Sequence, residues 1–125
     1  MVRFSVFLIL IALFVTYSLV IYTKATQSDH ILPVGEQKIV SKGKAIYQQY
    51  NCQSCHQVYG LGGYLGPDLT NAWSDPVRGE NMIRAFLKSG GSRMPNFNFD
   101  EQQIESLIAY MKYIDGTTAK EGAKN

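Results

Sequence analysis

The stretch Cys52-Gln53-Ser54-Cys55-His56 decides how the rest of the sequence is interpreted. Two cysteines separated by two residues and followed directly by a histidine are the signature of covalent haem attachment. Two thiols on one helical turn can add across the two vinyl groups of one porphyrin, and the adjacent histidine is then placed to ligate the iron. We therefore predict one covalently bound haem c, held by Cys52 and Cys55, with His56 as an axial iron ligand.

The small number of cysteines and histidines argues against the other sites that such a cysteine pair can build. An iron–sulfur cluster generally needs four cysteines, and a tetrahedral zinc site needs four Cys or His ligands. The whole chain contains two Cys and two His. A thioredoxin-like redox pair expects a βαβ context, and the sequence shows no alternating strand pattern. These counts favour haem over the rival sites.

The second axial ligand has four candidates in the sequence, namely His30, Met82, Met94 and Met111. Met82 and Met111 lie on the apolar faces of predicted helices, where methionine usually fills the core. Met94 lies instead in an irregular segment between two predicted helices, and Pro95 stiffens the backbone directly after it. We predict that Met94 is the second axial ligand. The alternatives are that Met94 is an ordinary residue of a surface loop, and that the iron has no protein ligand on that side.

A Gly-Pro pair follows the attachment segment and is expected to support it. A haem-ligating histidine normally donates its other ring N–H to a nearby carbonyl group, and the Pro67 carbonyl can lie alongside the His56 ring. On its own, a Gly-Pro pair is simply a turn. We expect the surroundings of the haem to be formed by Tyr64, Gly66, Pro67, Leu69, Trp73, Arg93 and Phe97.

The glycine-rich stretch 60–66 (GLGGYLG) does not have the pattern of a nucleotide-binding loop. The GxGxxG pattern fails at position 65, which is leucine, and no strand precedes the stretch. Glycines here let the backbone pass close to a flat macrocycle. The apolar residues Tyr59, Leu61, Tyr64 and Leu65 then form either a cover over the haem or an exposed docking rim, and the sequence leaves both open.

Hydrophobic periodicity predicts three helices after the N-terminal region. The first is expected at about 39–50, the second at about 76–88 with Gly90 as its stop, and the last at 100–116. In the last helix Asp100 can cap the N-terminus, Gln103 occupies the capping-box position, and apolar residues follow a 3.6-residue period. The predicted fold class is all-α, with an N-terminal transmembrane helix followed by a small haem domain.

The N-terminal region predicts a membrane anchor. Residues 4–23 form an uncharged, largely apolar run of twenty residues, and a helix of that length spans the roughly 30 Å core of a bilayer. A cleaved signal peptide is the alternative, but its apolar region is usually shorter, about 7–15 residues. The predicted organisation is a cytoplasmic tip (1–3), the anchor (4–23), a linker (24–37), the haem domain (38–116) and a flexible tail (117–125).

The charge distribution excludes a nucleic-acid-binding function. The net charge of the chain is +2. Because Arg3 and Lys24 flank the apolar run, residues 25–125 keep ten of the twelve Lys and Arg together with all ten Asp and Glu, and their net charge is zero. A nucleic-acid-binding domain would carry a strong excess of positive charge. We expect membrane association and no nucleic-acid partner.

Residues 43–114 resemble a class I c-type cytochrome domain, and most closely the membrane-anchored monohaem subunit of bacterial nitric oxide reductase and its haem–copper oxidase relatives. The resemblance rests on Gly43 and Tyr47 before the attachment segment, on NCQSCH, on GLGGYLGPDLTN, on RMPNF and on the final Leu-x-x-Tyr helix. It implies that Gly43 and Tyr47 cross Tyr110, and that the proline carbonyl after the glycine stretch accepts a hydrogen bond from the histidine.

The resemblance implies a non-catalytic subunit that passes single electrons to a membrane-bound terminal reductase of nitric oxide or oxygen. Its partners would be an integral-membrane catalytic subunit and, as donor, a quinol-oxidising complex or a cytochrome. Because bacteria attach haem covalently outside the cytoplasmic membrane, the expected location is the inner membrane, with a single span and a periplasmic haem domain. Two alternatives are a freestanding membrane-tethered electron shuttle and a haem-based gas sensor.

Overall fold

The chain forms one long N-terminal helix and a separate helical unit, which divide between Ile31 and Leu32. The computed structural model describes residues 2–25 and 32–118. Its elements are α1 (Val2–Ala25), α2 (Val34–Gln49), a 3₁₀ turn (Cys52–Ser54), β1 (Gln57–Val58), β2 (Leu61–Gly62), α3 (Gly79–Ser89) and α4 (Glu101–Thr117). The predicted all-α class is confirmed, with one two-residue hairpin added.

α1 is largely apolar, and two of its threonine hydroxyls donate to carbonyls of the same helix. Within Arg3–Lys24, an 18-residue window has a mean hydropathy of 2.7. Thr16 Oγ1 donates to the Ala12 carbonyl at 2.8 Å, and Thr23 Oγ1 donates to the Leu19 carbonyl at 2.8 Å. Hydroxyl groups that bond their own helix can enter hydrocarbon at low cost. By length and composition, α1 is therefore a helix that could cross a membrane.

α2 and α4 cross in close contact at a glycine. A Cβ atom on Gly43 would lie 1.9 Å from the Ser106 carbonyl oxygen and 2.8 Å from Tyr110 Cβ. One turn later, the rings of Tyr47 and Tyr110 pack with their centroids 5.6 Å apart. The contact implied by the family resemblance is therefore present. Only a glycine allows the two helix backbones to approach this closely.

α4 supplies more residues to the buried core of the helical unit than any other element. The apolar period predicted for this helix is confirmed, and its N-terminal capping box is present: Asp100 Oδ1 accepts from the Gln103 N–H at 2.7 Å, and Gln103 Oε1 accepts from the Asp100 N–H at 3.0 Å. Buried side chains of α4 pack with those of α2, α3 and the intervening segments; they are Ile46, Tyr47, Leu69, Ala72, Ile83, Leu87, Phe99, Ile104, Leu107, Ile108 and Met111.

One arginine ties α3 to the start of α4. Arg84 binds Glu80 at 3.1 Å, Glu101 at 3.0 Å and Glu105 at 2.7 Å. The hydrogen bonds that Arg84 donates to Glu105 and Glu80 hold the pKa of its guanidinium above its usual value. This network therefore ties together the two helices that flank the segment carrying Met94.

The predicted linker, residues 24–37, is shorter in the structure because residues at both of its ends are helical. Lys24 and Ala25 belong to α1, and α2 begins at Val34, five residues before the predicted start at Ile39. The early start follows from Pro33, whose fixed φ of −52° suits a helix entry and whose carbonyl accepts the N–H groups of the first turn. Hydrophobic periodicity missed this turn because it is largely polar.

α3 begins at Gly79, three residues after its predicted start at Pro76. Asp75 explains the difference, because its Oδ1 accepts the Val77 and Arg78 N–H groups, each at 2.8 Å. These hydrogen bonds, with those from the Arg78 side chain, lower the pKa of Asp75 to about 2. The carboxylate therefore stabilises a separate turn before the helix.

The hairpin β1–β2 and the end of α4 also differ from the prediction. Tyr59 and Gly60 connect the strands with φ values of 55° and 74°, which is the geometry of a type I′ turn. A tyrosine gives no sequence signal for this turn.

At the C-terminus, the predicted tail begins at residue 117. In the structure Thr117 ends α4, and Thr118 Oγ1 donates to Asn71 Oδ1 at 2.9 Å. Residues 119–125 lie outside the described part.

Gly43→Ala is expected to destabilise the helical unit, whereas Gly35→Ala in the same helix is not. The added methyl group at position 43 meets the α4 backbone, and overpacking of this kind costs about 1–3 kcal/mol. Position 35 has no neighbouring atom within 4 Å, so alanine there is expected to stabilise by up to about 1 kcal/mol. Chemical denaturation of both variants measures the difference. Equal stabilities would contradict the close crossing.

Candidate functional site

The two cysteines and the histidine lie on a tight turn after α2. Asn51, with φ 52°, reverses the chain direction. The carbonyl oxygen of Cys52 then accepts the N–H of Cys55 at 3.2 Å and the N–H of His56 at 3.0 Å. Both thiols are free and partly buried, and burial raises the pKa of the Cys52 thiol. The structure thus places both sulfur atoms and the imidazole on one short turn.

The His56 ring is oriented by the Gly-Pro pair that follows. His56 Nδ1 lies 2.9 Å from the Pro67 carbonyl oxygen. Since a carbonyl can only accept, Nδ1 donates this hydrogen bond, and in the neutral imidazole Nε2 then keeps a lone pair that can bind a metal. A Cβ on Gly66 would lie 2.4 Å from His56 Cε1, so the absence of a side chain there leaves room for the ring. The predicted contact with Pro67 exists in this geometry.

The glycine loop, which we define as residues 60–66, lies directly on the attachment turn. The Gly63 N–H donates to the Gln53 carbonyl at 2.9 Å, and the Gly66 N–H donates to the Cys55 carbonyl at 2.8 Å. A Cβ on Gly63 would lie 1.9 Å from the Ser54 carbonyl oxygen. The loop therefore contacts the turn with its backbone.

Asp68 and Thr70 hold the two ends of the glycine loop together. Asp68 Oδ1 accepts the Thr70 N–H at 2.7 Å and also contacts the Thr70 hydroxyl, while Asp68 Oδ2 accepts the Gly60 N–H at 3.2 Å. The Tyr59 N–H donates to Thr70 Oγ1 at 2.7 Å. The hydrogen bonds from Thr70 are the main reason why the pKa of Asp68 lies below its ordinary value. The sequence analysis missed both residues, although Asp-x-Thr is a turn signal.

Met94 lies where the sequence placed it, in the segment between α3 and α4. Its carbonyl accepts the Gly91 N–H at 2.8 Å. Its partly buried side chain packs against the core, as do those of Cys52, Trp73 and Phe97. The other methionines differ: Met82 is 40% exposed on α3, whereas Met111 is 5% exposed within the core. His30 lies outside the described residues.

The remaining predicted surroundings of the haem divide into two groups. Leu69 is buried in the core, and Trp73 and Phe97 pack at its edge. Lys112 Nζ lies 5.7 Å from the centre of the Trp73 ring. Tyr64 is 88% exposed, and Arg93 is also exposed. The first group therefore contacts the apolar interior, and the second does not.

The Tyr47 hydroxyl and Asp115 are buried polar groups that the sequence analysis did not single out. The Tyr47 hydroxyl is enclosed and has no hydrogen-bond partner within the described residues, and burial raises the pKa of Tyr47 to about 12. Asp115 is 3% exposed, and its Oδ2 accepts the Ser74 N–H at 2.8 Å. This bond ties α4 to the segment carrying Trp73. Periodicity alone could not show either role, because both depend on contacts distant in sequence.

The residues present fit a haem group. Two thiols lie on the same turn as an imidazole whose Nδ1 is held by a carbonyl, and apolar side chains at the edge of the core, that of Cys52 among them, are only partly buried. A flat apolar macrocycle would cover such side chains, and a thioether and an imidazole are a known pair of axial ligands. The chemistry of this donor set therefore agrees with the attachment motif.

The sequence profile of the family described as cytochrome c oxidase, cbb3-type, subunit III matches residues 39–111, more than half of the chain. The chain belongs to this family of c-type cytochromes. Membership implies haem c as the cofactor, and it makes this cytochrome an electron-transfer protein rather than a catalytic subunit. The matched range runs from α2 into α4 and includes the attachment turn and Met94.

Curated proteins similar to this cytochrome include subunits of nitric oxide reductase and a subunit of cytochrome c oxidase. Proteins named as the C subunit of nitric oxide reductase are 31% identical in Stutzerimonas stutzeri (87% of this chain, 78% of the relative) and 28% identical in Paracoccus denitrificans (86% and 77%). A protein named cytochrome c oxidase subunit 2 from Alkalihalophilus pseudofirmus is 24% identical, over 62% of this chain and 26% of the relative. The nitric oxide reductase subunits are thus similar over more of their length.

Gly66→Ala is expected to disturb the histidine without unfolding the cytochrome. The new methyl group would overlap the His56 ring, so either the ring or the loop must move, at a cost of about 1–3 kcal/mol. We expect a lower melting temperature and an altered haem absorption spectrum. Leu65→Ala is the control, because that side chain is exposed. A spectrum and stability equal to those of the unchanged protein would contradict the contact between Gly66 and His56.

Proposed function

We propose that this cytochrome is the membrane-anchored monohaem subunit of a nitric oxide reductase and delivers single electrons to its integral-membrane catalytic subunit. The observation that carries the electron-transfer role is the His56 ring, held by the Pro67 carbonyl at 2.9 Å with Nε2 left available. The specific assignment is supported by the relatives named as the C subunit of nitric oxide reductase, of which one is 31% identical over 78% of its length.

In this proposal the chain holds its haem at four positions. Cys52 and Cys55 would hold the group covalently, each through one thioether bond, and His56 and Met94 would supply the nitrogen and sulfur ligands of its iron. When bound, haem c would supply a one-electron couple between ferric and ferrous iron. Because one CxxCH motif occurs in the chain, one haem is expected.

The protein groups around the site would tune this couple and restrict it to electron transfer. The sulfur of Met94 is a soft donor that favours the ferrous state and raises the reduction potential. The Pro67 carbonyl fixes the His56 ring and increases its basicity. If His56 and Met94 both ligate the iron, a small gas could bind only by displacing one of them, and a gas sensor would need Met94 to leave the iron.

The location proposed for the haem domain is the periplasm. α1 would cross the inner membrane once, with Arg3 on the cytoplasmic side as the positive-inside tendency expects, and covalent haem attachment takes place on the opposite side. The electron donor would be a quinol-oxidising complex or a cytochrome. An oxygen-reducing haem–copper oxidase is the second candidate acceptor, and it is favoured by the family description and by the Alkalihalophilus relative.

Purification of the full chain from its native membranes in mild detergent tests this function. We expect a multi-span haem protein to co-purify, and we expect the complex to consume nitric oxide when supplied with electrons. Consumption of oxygen without nitric oxide reduction would assign the chain to an oxidase. A chain that purifies alone would be a freestanding shuttle, and rapid stoichiometric binding of carbon monoxide to the native ferrous protein would indicate a sensor.

A further inference from the structure

The first turns of α2 present a surface that the helical unit leaves uncovered. Val34, Lys38 and Lys42 recur at four-residue intervals and therefore lie along one side of the helix. Val34 is 84% exposed, and Ile39 is 38% exposed. A Cβ on Gly35 would have no neighbouring atom within 4 Å. We call the surface formed by these five residues the α2 face.

The lysines of the α2 face are left without an anionic partner by the helical unit. Lys38 and Lys42 are exposed and form no ion pair within the described ranges 2–25 and 32–118. Both line a groove whose other wall contains Glu101 and Glu105. Those carboxylates bind Arg84 instead, at 3.0 Å and 2.7 Å. Both ammonium groups therefore remain available to a partner that supplies anionic oxygens.

The covalent chain limits how far the α2 face can lie from the end of α1. Nine Cα–Cα steps lead from Ala25, the last residue of α1, to Val34. Even a fully extended chain covers only about 30 Å in nine steps. Under the proposed function α1 crosses a membrane, so the start of α2 is confined to the neighbourhood of the bilayer surface.

We propose that the α2 face rests on the headgroup layer of the membrane that α1 crosses, with Lys38 and Lys42 on the phosphates of anionic phospholipids and Val34 between the headgroups. This inference rests on the proposed function, which places α1 in the membrane, and adds a second contact with the same bilayer. Helical faces that combine lysines with exposed apolar side chains bind such interfaces, and anionic lipids strengthen the contact.

A second contact with the bilayer would restrict the orientation of the haem domain. A single anchor joined by an extended segment leaves a domain free to rotate, whereas two contacts hold it in one range of tilts. Glu36, the acidic residue at this end of α2, does not oppose the contact, because it lies two residues from Val34 and from Lys38 and so points to the other side of the helix.

A nitroxide label at position 35 of the full-length, haem-containing protein tests the contact. In Gly35→Cys the new thiol is the only one free to react, because haem attachment consumes those of Cys52 and Cys55. The protein is reconstituted without other proteins into vesicles of phosphatidylcholine alone, and of phosphatidylcholine with phosphatidylglycerol. Electron paramagnetic resonance then measures how often the label collides with a neutral, water-soluble nickel chelate, at low and at high salt.

Lys38→Gln/Lys42→Gln removes the lysines of the α2 face, and Lys44→Gln/Lys88→Gln is the matched control, because it removes two exposed lysines elsewhere. We expect phosphatidylglycerol to lower the collision rate by about three-fold or more in the labelled protein and in the control, but not in the Lys38→Gln/Lys42→Gln variant. High salt should weaken the effect by screening the lysine charges. An identical haem spectrum in all three proteins shows that each of them folds.

The outcomes that overturn this inference differ from those that overturn the proposed function. Equal collision rates in both kinds of vesicle, or protection that persists in the Lys38→Gln/Lys42→Gln variant, would refute the lipid contact alone. Protection that appears only in a complex purified from native membranes would assign the α2 face to a protein partner instead. If the chain does not float with the vesicles on a density gradient, α1 is not an anchor, and the proposed function fails together with this inference.

Discussion

Replacing both Cys52 and Cys55 with alanine is expected to abolish covalent haem and to leave the helical unit largely unfolded at physiological temperature. The Cys52 side chain packs against the core, and the proposed haem would complete that core. Removing a buried group of this kind costs at least as much as a large-to-small core substitution, about 2–5 kcal/mol. For a domain of this size, a loss of about 3 kcal/mol lowers the melting temperature by about 12–24 °C.

Haem staining after denaturing electrophoresis and circular dichroism measure the two effects. Gln53→Ala is the control, because that exposed side chain lies between the two cysteines and leaves both thiols in place. Either single cysteine variant should keep a covalently bound haem through one thioether, with reduced yield. Haem that stays covalently attached to the double variant would show that the attachment site is wrongly assigned.

Met94→Ala is expected to give the largest change in redox behaviour while the fold persists. Loss of the sulfur ligand removes the donor that stabilises the ferrous state. The midpoint potential should then fall by roughly 0.1–0.3 V, a fraction of the ~0.8 V over which axial ligands set haem potentials. The absorption band from sulfur-to-iron charge transfer should disappear. Because Met94 is only partly buried, the substitution is expected to cost little stability.

Spectroelectrochemistry and near-infrared absorption report the potential and the band. Met82→Ala and Met111→Leu are the matched controls, since Met82 is half-exposed on α3 and Met111 is a core residue of α4. Both should keep the band. If the Met94 variant keeps the band and one of the controls loses it, the axial ligand lies on that helix instead.

The helices could largely be predicted from the sequence because their signals are local. The capping box of Asp100 and Gln103 and the apolar period that follows are contained within α4 itself. The helix starts were less accurate. The turn at Asp75 is set by a side-chain carboxylate that competes with the helix for N–H groups, and hydrophobic periodicity does not detect such competition.

Part of the candidate site could also be predicted from the sequence. The attachment motif is contiguous, so Cys52, Cys55 and His56 could be named from spacing alone. The hairpin at Tyr59 depends on a hydrogen bond to Thr70, eleven positions away. Likewise, the bond from Ser74 to Asp115 spans 41 positions. Contacts over such distances leave no periodic pattern, so only the folded chain shows them.

The glycine loop combines positions that must remain glycine with positions at which the side chain can be substituted. A side chain added at Gly63 or Gly66 would collide with the haem-binding turn, whereas Leu61 and Leu65 can be exchanged without touching it. Positions that must remain glycine and positions that tolerate substitution are thus interleaved in one short segment. The surface of the loop could therefore be varied at Leu61 and Leu65 while the backbone that holds His56 stays in place.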